Sequence, residues 1–120
     1  MSALVPLNDT APHIIDASAV WDEGAGNGTI TLTFDKDMMS DANRCADLSM
    51  VDNGHSAGTC YPIEWTTPRI WKGQTPDLYN YSRPFTLEYA ASSHEDWRFK
   101  SVDGHYLQNF ADRPITITDV

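Results

Sequence analysis

Between Thr29 and Asp35 the chain alternates polar and apolar residues without a break. Ile30, Leu32 and Phe34 fall on one side, and Thr29, Thr31, Thr33 and Asp35 on the other. Successive side chains of a strand point to opposite faces, so this pattern specifies a strand with one face buried and one in water. That is the habit of antiparallel sheets. Phe85-Thr86-Leu87-Glu88-Tyr89 and Pro114-Ile115-Thr116-Ile117-Thr118 repeat it. No stretch shows a convincing amphipathic helix.

Weaker strands fill the intervals. His13 to Val20 is read as a strand with Ile15, Ala17 and Ala19 on one face, followed by a turn-rich loop from Glu23 to Gly28. Residues 37–42, Asp37-Met38-Met39-Ser40-Asp41-Ala42, read as a short helical turn or crossover, too brief for a stable helix. Leu48 and Met50 alternate up to an Asn53-Gly54 turn, and a returning strand carries Tyr61, Ile63 and Trp65. Pro62 inside that run points to an edge strand or a bulge. A short strand at Arg69-Ile70-Trp71 and a turn at Asp103-Gly104 complete the pass. Strands at short spacing with turns between them predict an all-β fold, an antiparallel β-sandwich of about seven strands. Residues 1–11 form an N-terminal arm and residues 12–120 the sandwich domain.

With 120 residues the chain is one domain by default. A chain of this size buries about two-thirds of the surface its unfolded form exposes, enough for a core without metals. Asp and Glu number 17 against 8 Lys and Arg, for a formal charge of −9. The basic residues are scattered, so phosphate backbones and anionic membranes are not expected partners. No apolar run is long enough to span a bilayer. The first residues lack the charges and apolar core of a secretory signal, so the sequons at Asn8, Asn27 and Asn80 are read as accidental and synthesis is expected in a cytoplasm. Cys45 and Cys60 flank the Asn53-Gly54 turn at nearly equal distances. If residues 46–52 and 59–65 pair as a hairpin, the two sulfurs face each other. A disulfide and a pair of buried thiols both remain open.

Chemistry-bearing patterns are sparse. His13, His55, His94 and His105 show no pair at the spacing of a zinc helix, and no nucleophile elbow occurs. No catalytic residue, cofactor or metal is expected. Asp35, Asp37 and Asp41 suggest calcium, but the segment lacks the glycine and terminal glutamate of an EF-hand. The aromatic residues say more. Trp65 and Tyr89 belong to the core on alternation. Trp71, Tyr79 and Tyr81 fall in an irregular, proline-bearing stretch and are candidates for an exposed interface; the competing reading is a small second core under a loop. Leu4, Val5 and Leu7 make the arm apolar. Such an arm is costly to leave in water, so it is expected to dock on a neighbouring chain or to fold back as an extra strand.

Three stretches in order carry a resemblance. Pro12-His13-Ile14-Ile15-Asp16-Ala17 precedes Ile30-Thr31-Leu32-Thr33-Phe34-Asp35-Lys36-Asp37-Met38. The last third runs Phe85 to Tyr89, Val102-Asp103-Gly104-His105-Tyr106-Leu107-Gln108-Asn109-Phe110, then Pro114 to Ile117. This order resembles the bacterial immunoglobulin-like surface repeats, in particular the SwmB-like kind. His105 stands where those repeats usually carry Asn, and residues 53–83 are richer in Trp, Tyr and Pro. The resemblance implies an immunoglobulin-like sandwich without catalytic residues. Modules of that kind are also used on tailed-bacteriophage particles, so it further implies a virion protein. On this reading the chain is a capsid decoration (cement) protein, binding the major capsid protein or other virion proteins and forming a homo-oligomer such as a trimer. The alternatives are a cell-surface adhesion or carbohydrate-binding module and a tail or baseplate component.

Overall fold

A computed structural model describes residues 10–41 and 48–120. Leu4, Val5, Leu7 and Cys45 lie outside the described residues. Nine strands are found among them, against the seven expected: β1 (Ile14–Asp22), β2 (Asn27–Phe34), β3 (Leu48–Asp52), β4 (His55–Thr59), β5 (Tyr61–Thr67), β6 (Ile70–Gln74), β7 (Thr86–Tyr89), β8 (Phe110–Pro114) and β9 (Thr116–Asp119). They form two sheets, ordered β5-β6-β2-β1-β9 and β4-β3-β7-β8. The fold is an all-β sandwich. Its strand order is that of the immunoglobulin sandwich, with β1, β2, β6 and β5 in one sheet and β3, β7 and β8 in the other, and β4 as an additional edge.

The extra strands come from two changes of sheet. The strand returning from the Asn53-Gly54 turn is β4, not residues 59–65 as the sequence suggests: Val51 pairs with Ser56 and Ser49 with Thr59. Asn53 and Gly54 both have positive φ, 50° and 89°, the backbone of the tight hairpin turn that Asn-Gly favours. The chain then passes through Cys60, whose N–H donates to the Leu48 carbonyl at 2.7 Å, and enters the other sheet as β5. The second change occurs at buried Ile115. β8 pairs with β7, whereas β9 runs parallel to β1, from Ser18↔Thr116 to Trp21↔Asp119. Two strands separated by one residue therefore serve different sheets.

Alternation sets the core. Ile30, Leu32 and Phe34 from β2 face Leu48 and Met50 from β3 and Leu87 and Tyr89 from β7, all buried. In β1 the alternation is broken by a bulge: Ile14 pairs with Phe34 and Asp16 with Thr33, leaving Ile15 as the extra residue. Ile14, Ala17, Ala19 and Trp21 therefore point inward, and Ile15 is 62% exposed, opposite to the face expected for it. Pro62 does sit in an edge strand, next to an irregularity between Pro62 and Glu64.

Two irregular segments plug the sandwich. The expected helical turn at residues 37–42 is absent over its described part, 37–41. Met38 instead makes a bridge to Ser101 and is buried, with its N–H donating to the Pro68 carbonyl at 2.8 Å. Tertiary partners for an apolar side chain and its amide outweigh a helix too short to hold itself. Phe99, in a stretch with no regular strand, fills the centre. Its ring lies 5.4–5.6 Å from those of Phe34, Trp71 and Tyr89, and 6.0 Å from Trp65.

Candidate binding surfaces

The aromatic trio read as an interface does not form one patch. Trp71 is 1% exposed and meets Phe99 edge-on at 89°, so it is a core residue and its expected exposure is corrected. The physical reason is its place in β6, a central strand that pairs β2 on one side and β5 on the other. With Gly73 it shares the inward face, and the glycine leaves room for the indole. Tyr79 is 50% exposed and Tyr81 half-buried, both at the end of the sandwich beside Trp21. The Tyr79 ring meets Trp21 edge-on at 5.5 Å, and its hydroxyl donates to the Glu23 carbonyl. Tyr81 packs on the main core, and its N–H donates to the Leu78 carbonyl at 3.1 Å. Between them lies a shallow cavity of about 150 Å³. These two tyrosines thus combine both readings, covering the end of the core while leaving one ring half in water.

Other exposed apolar residues stand out. On the edge strand β5, Tyr61 and Ile63 are 62% and 55% exposed. In the short 3₁₀ turn Glu95–Trp97, exposed Trp97 stacks on His94 at 4.5 Å. Glu95 of the same turn accepts the Tyr106 hydroxyl at 2.8 Å, and Arg98 and Lys100 lie over the Tyr106 ring. The sequence reading passed over Trp97 because nothing periodic surrounds it; a tryptophan flanked by Glu95, Asp96 and Arg98 is the signal that marks it as surface.

The carboxylates of the first turn region are committed to structure. Asp35 accepts the His13 N–H at 2.8 Å, and Asp37 pairs with Arg69 at 2.9 Å. Lys36 spans Asp103, at 2.9 Å, and the Thr10 carbonyl, at 2.6 Å. The Ser101 hydroxyl donates to Asp103, and that bond, together with Lys36, holds the Asp103 carboxyl below the usual aspartate range. Among the described residues no three His, Cys, Asp or Glu side chains gather as a metal site. The possible Cys45–Cys60 bridge has one partner outside the described residues, and Cys60 is buried.

A partly apolar depression follows from the sheet change at Ile115. β9 covers only Ser18 to Trp21 of β1, so the first half of β1 has no strand on that side among the described residues. β8 is itself an edge. Between the two lies a groove of about 480 Å³, with Pro12, Ile14, Leu107, Phe110, Arg113 and Pro114 in its walls.

No known protein family, curated protein or solved structure matches this chain.

Proposed function

We propose that this chain is a structural binding module that attaches to and reinforces a larger assembly, and that the assembly is the head of a tailed bacteriophage. The observation that supports this reading most is the sandwich with its immunoglobulin strand order, the architecture that the resemblance at residues 12–17, 30–38, 85–89, 102–110 and 114–117 implies. The apolar arm with Leu4, Val5 and Leu7 and the exposed Tyr61, Ile63 and Tyr79 supply contact area of the kind that anchors protein interfaces. The net charge of −9 suits a soluble module that meets a basic surface. A modest contact repeated over many copies would supply the reinforcement, because linked contacts act at high effective concentration. Fold alone does not carry function, so the site must be tested. Co-sedimentation with empty heads assembled from a tailed-phage major capsid protein is the experiment. Saturable pelleting supports the proposal, and a chain that stays in the supernatant refutes it.

A second reading rests on the exposed Trp97, stacked on His94: aromatic faces at a surface also stack on sugar rings. It predicts glycan binding that Trp97→Ala abolishes. Trp71→Ala is no test of it, because Trp71 is in the core.

A further inference from the structure

We infer that the groove between β1 and β8 binds a small amphipathic carboxylate, a molecule with an apolar body and one anionic end, through Arg113. Residues directly opposite each other in an antiparallel pair carry their side chains on the same side of the sheet. Arg113 lies opposite Leu87 and Phe110 opposite Tyr89, and both partners are buried in the core. The edge strand β8 therefore turns a guanidinium and an aromatic ring toward the inside of the sandwich, where Phe110 stacks on Tyr89 at 6.0 Å. The start of β1, which β9 does not reach, supplies more of the wall through Pro12 and Ile14, and Leu107 adds to it.

Charge identifies the ligand. The Arg113 Nε is buried and has no hydrogen-bond partner. By contrast, Lys36, Arg69 and Arg83 pair with Asp103, Asp37 and Asp119. Asp and Glu outnumber Lys and Arg 17 to 8 in this chain, yet no carboxylate lines the groove. The other polar side chains in its walls are engaged. His13 lies 3.6 Å from Asp35, Gln108 donates to the Tyr106 carbonyl at 3.4 Å, and Asn109 accepts the Ala91 N–H at 2.8 Å. An inward charge on an edge strand also discourages pairing with other chains. That task needs a hydrated charge and gains nothing from a nitrogen shut away from water. Arg113 as a whole is only partly buried, so its terminal nitrogens are the ones left for a ligand. A carboxylate suits them best, because the planar fork binds it through two nitrogens and offsets a charge that burial has left uncompensated. The volume of about 480 Å³ is that of a small-molecule site, with room for roughly sixteen groups the size of a water. A medium-chain acid fits, its tail over Phe110, Leu107 and Ile14 and its head at Arg113.

The inference goes beyond the assembly role and is tested on the full chain alone, so the two fail separately. The probe is octanoate, with 1-octanol as its neutral counterpart, each titrated into the protein and followed by nitrogen-15 NMR. Octanoate is expected to shift residues 12–14 and 107–114 saturably. It should bind about tenfold more tightly than octanol, the margin of one charge-assisted pair. Arg113→Gln should erase that margin. Ala111→Glu, at an exposed position in the wall, should weaken octanoate and leave octanol unchanged, and it decides the matter if Arg113→Gln unfolds. No saturable shift with octanoate, equal binding of acid and alcohol, shifts centred elsewhere, or a margin that survives these substitutions would overturn the inference.

Discussion

Replacing Gly73 by alanine would put one carbon into the tightest place in the core. A Cβ there would lie 2.2 Å from Cη2 of Trp71 and 2.7 Å from the Tyr61 carbonyl oxygen, both closer than non-bonded atoms approach. The ring cannot yield freely, because Phe99 packs against it at 5.5 Å, and the carbonyl belongs to the neighbouring strand. Overpacking of this kind costs up to about 3 kcal/mol. Alanine recovers roughly 0.5–1 kcal/mol of the backbone entropy that glycine loses in a strand. The net loss is therefore about 2 kcal/mol. For a domain of 120 residues, each kcal/mol moves the melting temperature by roughly 4 °C, so Tm should fall by about 8 °C. Urea unfolding followed by tryptophan emission would read the same loss. Trp71→Phe in the Gly73→Ala background should cost less than it does alone, with a coupling on the order of 1 kcal/mol. A Gly73→Ala chain as stable as the parent, or costs that simply add, would refute the packing described for Trp71.

Three further outcomes follow from the same geometry. Tyr89→Phe should cost about 1–3 kcal/mol in urea unfolding, because the buried Phe99 N–H donates to the Tyr89 hydroxyl at 3.1 Å and would lose its acceptor. Trp71→Ala should cost about 3–5 kcal/mol, while Tyr79→Ala, at a half-exposed ring, should cost far less; equal losses would contradict the assignment of one to the core and the other to the surface. The Asp103 carboxyl should titrate below the usual aspartate range by carbon-detected NMR, and more nearly normally after Ser101→Ala. Because its folded value is depressed, its stabilising effect is present above the unfolded value and fades as pH falls through the folded one, so Asp103→Asn should reduce the acid sensitivity of unfolding at that end of the scale.

The sandwich was legible where one face is buried and regular. Ile30, Leu32 and Phe34, and Phe85, Leu87 and Tyr89, point inward as their alternation says. The Asn53-Gly54 turn was legible for a different reason, since few residue pairs accept two positive φ angles in succession. What escaped depends on long-range packing. The bulge at Ile15 reverses the face of one residue, and only the pairing with Phe34 and Thr33 reveals it. Trp71 looked exposed because proline and glycine surround it, yet Gly73 is what allows its ring to be buried. Phe99 sits in a segment without period, and its role emerges only when four aromatic rings converge on it. The groove between β1 and β8 was invisible because two consecutive strands one residue apart, β8 and β9, divide between the two sheets.

The most direct test of the proposed role is to measure how heads resist heat with and without the chain. Tailed-phage heads lacking a decoration protein, with and without added chain, would be followed by scanning calorimetry. The account predicts that the head transition moves to higher temperature in proportion to the chain bound and saturates with it. It also predicts that Leu4→Asp with Val5→Asp lowers that gain. A head transition that stays where it was at saturating chain would contradict a decorating and reinforcing role.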